Sequence, residues 1–415
     1  MATVDSAPVV SVRAVVRQGA DHDPASRPGL ASFVSDMIDE GTASRSAMEI
    51  AGGIADLGAS LSSGCDWDGS YLSLDVLTRH LDAGLEIFAD VLSSPVFAES
   101  EVERTRRERL TAILQNKDDP GTVATETFAR EVYKGTPYQN PIIGTAESLK
   151  GLGRDELAEF HGANDSPELT SIVVTGNFDP GVVRRRIEAL LGGTSPKGRA
   201  ARLSFAHPEI EASRVVIADR PKAVQSEIRV GHPGVDRSTP DYYPIIVMNA
   251  ILGGVFTSRL NLNLRERNAF TYHVRSGFSM RKNPGSFNVS TAVRTEVTAA
   301  AVREILAELR RMQSGDLTRE ELDESKNYMM GVFPATVHTA GNLAARLEDM
   351  EIYSLPDDWF DHHREQIGAV TAEQVVDAAN RYLDPEHVVI VVAGAAELIR
   401  ESMAEFATSV EVVKM

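Results

Sequence analysis

The chain repeats itself, and this restricts its fold more than any other feature. The segment LTRHLDAGLEIFADVLSSPVFAESEVERTRRERL, from Leu77, has the pattern of VTAAAVREILAELRRMQSGDLTREELDESKNYMM, from Val297, with Phe97 falling on Leu317. SPELTSIVVTGNF, from Ser166, has the pattern of DPEHVVIVVAGAA, from Asp384. The two offsets, 220 and 218 positions, nearly agree although the segments lie far apart, which argues for an internal duplication. Each copy mixes strands and helices. Two domains of one α+β fold are therefore expected, each a mostly antiparallel sheet packed with helices. The boundaries read 1–191 and 214–415, with a linker at 192–213 holding the polar, flexible run GGTSPKGRA.

Within the first copy, 8–17 (PVVSVRAVVR) reads as a strand. Residues 29–40 read as a helix with Leu30, Phe33, Val34 and Met37 on one stripe. A second helix spans 44–57, then a Ser- and Gly-rich strand at 58–76. Helices follow at 78–92 and 99–115, a buried-type strand at 167–176 and a helix at 180–191. In the second copy a hairpin is expected to turn at Asn283-Pro284-Gly285.

At 415 residues two domains are the natural size, and 42% hydrophobic with 25% charged residues suits packed cores rather than disorder. A net charge of −18 disfavours nucleic acid and anionic membrane as partners. It could favour basic peptides, but it more often serves solubility. Cys65 is the single cysteine, so no internal disulfide and no cysteine metal cluster can form. No stretch approaches the roughly 20 apolar residues of a membrane span. MATVDSAPVVSVRAVV lacks the basic and apolar blocks of a signal peptide. Ten histidines are scattered, and none belongs to H-x-x-E-H or H-E-x-x-H. There is no phosphate loop and no G-x-S-x-G elbow.

Chemistry is concentrated in Gly253–Ser276, GGVFTSRLNLNLRERNAFTYHVRS. Gly253-Gly254 interrupt a helix, Ser258 can cap the next, and Leu260 and Leu264 share its buried face. From Phe270 the period becomes two. Arg265 then sits near a helix end and Tyr272 at the start of a strand, seven residues on, so that both can converge on one point. Taken alone, the two residues read better as a solvated helix charge and a half-buried strand aromatic.

The chain as a whole resembles the pitrilysin/insulinase (M16) family of zinc metallopeptidases, and more closely its bacterial two-chain branch. The likeness runs in order through GLASFVSDMIDEGT (29–42), ESEVERTRRERLTAILQNKDDP (99–120), PYQNPIIGT (137–145), IVVTGNFDP (172–180), LGGVFTSRLNLNLRERNAFTY (252–272), IYSLPDDWF (352–360) and VTAEQVVDAANRYLDPEHVVIVVAG (370–394). It implies the duplicated LuxS/MPP-like metallohydrolase fold. Active members carry H-x-x-E-H on the first matched helix. Here that run is Ser32-Phe33-Val34-Ser35-Asp36, and the family's third ligand, a glutamate on the later charged helix, matches Ala112. Catalytic zinc needs three protein ligands. Asp36 alone cannot supply them, so no metal is expected in this chain.

The same likeness implies that Arg265 and Tyr272 match the pair that binds the substrate backbone and stabilises the oxyanion opposite the zinc. A chain with the pair and without the metal site implies a zinc-bearing homologous partner, hence a heterodimer acting on peptides. The alternatives are a catalytically inactive scaffold or assembly protein of the same fold, and a module that captures peptides without cutting them. Ala59–Ser63 matches the strand that receives substrate in active members. Relatives usually begin with one more strand, so a cytoplasmic location is expected for the sequence as it stands, and a periplasmic one if a leading segment is missing.

Overall fold

A computed structural model of the chain describes residues 1–5, 7–164, 168–192, 203–206 and 209–414. The linker expected at 192–213, and the start of the repeated segment at Ser166, fall mostly outside these residues.

The first sequence half runs β1 (Ala2–Thr3), β2 (Val9–Val16), α1 (Leu30–Met37), α2 (Ala47–Asp56), β3 (Ser60–Cys65), β4 (Ser70–Leu77), α3 (Leu81–Ser93), α4 (Glu99–Asp118), α5 (Pro120–Val132), α6 (Ala146–Lys150), α7 (Arg154–Asn164), β5 (Thr170–Gly176) and α8 (Pro180–Leu191). The second runs β6 (Arg214–Asp219), β7 (Gln225–Pro233), α9 (Tyr242–Asn249), β8 (Val274–Ser279), β9 (Ser286–Arg294), α10 (Thr298–Gln313), α11 (Arg319–Val332), α12 (Ala340–Tyr353), α13 (Trp359–Ala369), α14 (Ala372–Tyr382), β10 (Val389–Gly394), α15 (Ala396–Met403) and β11 (Val410–Lys414). The single strand expected at 58–76 is instead the hairpin β3–β4. Asp66-Trp67-Asp68-Gly69 turns it, with the Asp66 N–H donating to the Gly69 carbonyl at 2.8 Å.

The two sheets have one plan. The first is ordered β1-β5-β2-β4-β3, and the second contains β6-β10-β7-β9-β8 in the same sequence of neighbours, with β11 added beside β6. β1 pairs parallel to β5, and the rest of the first sheet is antiparallel. In the second sheet β6 is parallel to β10 and β11, and the remaining pairs are antiparallel. The chain thus holds two α/β domains, each a sheet flanked by helices, as the repeat predicts.

The chain folds as two compact units that are not contiguous halves. One comprises Met1–Ile113, Asn140–Leu203 and Phe333–Trp359; the other comprises Leu114–Gln139, Ser204–Val332 and Phe360–Met415. The sequence boundary at 192–213 separates the strands of the two sheets but not their helices. The first unit takes α12 from the second half and lays it on β2 and β5, while the second takes α5 from the first half and lays it on β7 and β10. The starts of α5 and α12, Pro120 and Ala340, are themselves 220 positions apart.

This exchange explains the burial of the central strands. On β2, Val10, Val12 and Ala14 join a core with Leu72, Leu74, Leu85, Phe88 and Val91. Val15 points the other way and packs with Val173 and Ala344 of α12. A strand covered on both faces reads as a near-continuous apolar run, as PVVSVRAVV does apart from Ser11 and Arg13. In the second unit Ile228, Val230, Val289, Ile305, Leu309, Val375, Ile390 and Val392 form the equivalent core. Each fully buried Val, Leu, Ile or Phe contributes about 1.5–3 kcal/mol.

Candidate functional site

In the first unit, the positions that match the metal ligands lie on α1 and α4. Gly29 precedes α1 with φ +95, and a Cβ there would lie 2.7 Å from Gly144 Cα, so only glycine fits. The Asp23 carboxylate accepts the N–H groups of Gly29 (2.6 Å) and Ala31 (2.7 Å), fixing the first turn. Burial pushes Asp23 up to about 7, against the pull of these N–H groups and of Arg109. Ser32 and Ser35, on α1, are both buried. Ser32 Oγ lies within hydrogen-bond distance of the Ile142 carbonyl (2.5 Å) and the Gly29 carbonyl (3.2 Å). Ser35 Oγ lies 3.2 Å from the Ala31 carbonyl, and the Ser35 carbonyl accepts from Ser63 Oγ at 2.7 Å, which ties α1 to β3.

Arg109 of α4 enters this place. It is 5% exposed, although Arg104 and Arg107 on the same charged helix reach solvent. Its Nη1 donates to the Asp36 carboxylate. Its Nη2 donates to Ser32 Oγ (2.7 Å), the Ile143 carbonyl (2.7 Å) and the Gly29 carbonyl (3.3 Å). The Phe33 ring lies 5.0 Å from its guanidinium carbon. Burial pulls the Arg109 pKa down, but an arginine stays charged.

The donor set does not fit zinc. Zinc takes imidazole, thiolate or carboxylate ligands. Positions 32 and 35 carry hydroxyls engaged with helix and strand, position 112 carries a methyl, and Asp36 is ion-paired to Arg109. Among the described residues, no group of three or more His, Cys, Asp or Glu side chains is placed to hold a metal ion.

In the second unit, Arg265 lies within a stretch of unusual backbone and Tyr272 follows it. α9 runs on into a π-helical turn at Ala250–Gly254, and a second π-helical segment, Asn261–Arg267, carries Arg265. Such turns are uncommon and concentrate at functional sites. Leu260 and Leu264 are fully buried in the core, as their spacing predicts. Ser258 does not cap the segment. Its Oγ accepts from buried Asn261, which also donates to the Val274 carbonyl at 3.0 Å and so joins the segment to β8. Asn263 donates to Glu304 (2.9 Å) and to buried Glu308 (2.7 Å) of α10.

The strand expected from Phe270 begins only at Val274. Ala269 takes φ +52, and Thr271 Oγ1 accepts the His273 N–H (3.1 Å) while lying 2.9 Å from the His273 carbonyl. These local bonds compete with the ladder. Tyr272 therefore precedes the strand instead of starting it, and it is 95% exposed. Arg265 is about a third exposed, lies 3.5 Å from its neighbour Glu266, and has its guanidinium carbon 4.3 Å from the Phe256 ring centre. Phe256 is itself 67% exposed. Sequence reading passed over both Phe256 and Arg109. Phe256 had a usable signal, an aromatic in a Gly-rich turn before a cationic helix.

Fold and site together define a duplicated chain of two sheet-and-helix domains, of the architecture of M16 metallopeptidases, with no metal-binding cluster among its described residues. Comparison with known proteins agrees. Residues 1–146 match the model of Insulinase (Peptidase family M16), and residues 151–329 match that of the Peptidase M16 inactive domain. A crystal structure of a peptidase M16 inactive domain from Pseudomonas fluorescens superposes with a TM-score of 0.88 at 26% identity, covering 94% of each chain. The chain is 23% identical to the uncharacterized zinc protease YmxG of Bacillus subtilis over 94% of each sequence. It is 25% identical to the non-peptidase homolog YmxG of Helicobacter pylori, over 79% of this chain and 75% of that one. The chain belongs to the M16, or insulinase, family and carries its inactive peptidase domain. Among the described residues, no helix is long and apolar enough to cross a membrane.

Proposed function

We propose that this chain is a zinc-less M16 subunit that binds peptide and stabilises the oxyanion through Arg265 and Tyr272, and that a homologous zinc-bearing chain supplies the metal. One observation carries the reading. Tyr272 is 95% exposed, so burial in its own unit gives no reason for an aromatic side chain there. Arg265 supports the same view, since among the described residues its planar group has one aromatic neighbour, Phe256, and one ion-pair contact, Glu266 at 3.5 Å. A guanidinium offers a fork of donors to a peptide carbonyl, and a phenol can donate to a developing oxyanion. The partner chain would hold zinc and its water.

The test is to purify the tagged chain from its source cells under mild conditions and weigh metal against protein. The reading expects no zinc in the isolated chain and one zinc per pair when a relative with H-x-x-E-H accompanies it. Stoichiometric zinc in the isolated chain contradicts it.

A second reading, a scaffold of the same fold that neither cuts nor contributes to cutting, is favoured by the name of the Helicobacter pylori relative, a non-peptidase homolog. The two separate on Tyr272. A scaffold is indifferent to its hydroxyl.

A further inference from the structure

We propose that Arg109 is the resident cation of the first unit's metal position, a guanidinium that replaces the metal's charge and excludes metal from the site. Asp36 and Ser32 lie four residues apart, one helical turn, so both face the same way from α1. They occupy the positions that match the two histidines of H-x-x-E-H, and one guanidinium bonds both. Arg109 stands one turn before Ala112, on the stripe of α4 formed by Val102 and Thr105, the helix's other buried residues.

The hydrogen-bond acceptors around the guanidinium are four oxygen groups, the Asp36 carboxylate, the Ser32 hydroxyl and the Ile143 and Gly29 carbonyls, with the Phe33 ring beside them. Four acceptors facing one point repel one another unless a cation stands among them. A buried guanidinium is equally costly without such partners. Each half of the arrangement thus requires the other, and the unit keeps a positive charge between α1 and α4 without metal. This inference stands apart from any role of Arg265 and Tyr272.

If charge is what matters, Arg109→Lys should melt closer to wild type than Arg109→Met, which keeps the apolar stem. If packing is what matters, the order reverses. Arg109→Ala should lose many degrees and regain them in a saturable way with millimolar methylguanidinium chloride. Sodium chloride at equal ionic strength should not do this, and wild type should not respond.

A second experiment reads metal instead of melting, on chains first shown by circular dichroism to be folded. Ser32→His, Asp36→His and Ala112→Glu are introduced together, with Arg109 kept and with Arg109→Ala, and zinc is measured by dialysis against a metal buffer. One zinc per chain is expected only where Arg109 is gone. Equal zinc uptake with Arg109 in place, or Arg109→Met as stable as Arg109→Lys, overturns the proposal.

Discussion

Arg13 on β2 and Arg229 on β7 lie 216 positions apart in the sequence, and each grips the helix that its sheet takes from the other sequence half. Arg13 is ion-paired to Glu348 of α12, with both side chains largely buried. Arg229 donates to the Gly121 carbonyl (3.1 Å) and to Thr125 Oγ1 (3.2 Å) of α5. A duplicated residue thus serves a duplicated exchange.

The Arg13–Glu348 pair is expected to hold α12 on the first sheet. Removing one partner strands the other in a place where burial already raises the Glu348 pKa. Arg13→Met alone and Glu348→Leu alone should each cost about 2–4 kcal/mol, somewhat less than for a fully buried pair. Arg13→Met with Glu348→Leu should recover most of this. Urea unfolding of the two single variants and the double variant measures the coupling; additive losses would mean that the pair holds nothing.

His232 should make the second unit acid-sensitive. Its ring is buried, with Nδ1 2.7 Å from the Pro233 carbonyl and Nε2 accepting the Asp384 N–H at 3.1 Å. Nδ1 therefore carries the proton and the ring is neutral. Burial holds its pKa below the ordinary 6.5. The unfolded chain then takes up the proton first as pH falls, so stability is full above about pH 6.5 and declines below it. Unfolding midpoints between pH 8 and pH 5 should show this slope, and His232→Gln should flatten it.

Phe256 should matter through Arg265. A cation over an aromatic face gains about 0.5–1 kcal/mol at an exposed site. Phe256→Leu should therefore weaken binding of an unstructured peptide about 2- to 5-fold, while Phe256→Trp preserves it. Fluorescence anisotropy with the purified chain reads both. Equal losses in the two variants would remove the aromatic face from the argument.

The sequence carried the plan of the fold more fully than its assembly. The repeat was legible because both copies preserve the apolar spacing of the same strands and helices. The helix exchange was not, because periodicity marks which face of α5 or α12 is apolar and not which sheet it covers. Arg109 was hidden by its neighbours. In ERTRRERL it looks like one more solvated charge, and only the fold shows that α4 turns it inward against Asp36. The start of β8 was read too early because Phe270 and Tyr272 alternate correctly, while the Thr271–His273 bonds hold the backbone off the ladder until Val274 pairs with Thr291.

The central claim is that this chain lends Arg265 and Tyr272 to another chain's metal site. It is tested most directly by titrating the wild-type chain and Tyr272→Phe into a zinc-bearing M16 relative from the same genome, with a fluorogenic unstructured peptide as substrate. Wild type should raise kcat, and Tyr272→Phe should fall about 100- to 1000-fold short of it, the usual cost of one oxyanion donor. Equal turnover with both chains would contradict the account, as would peptide cleavage by this chain alone.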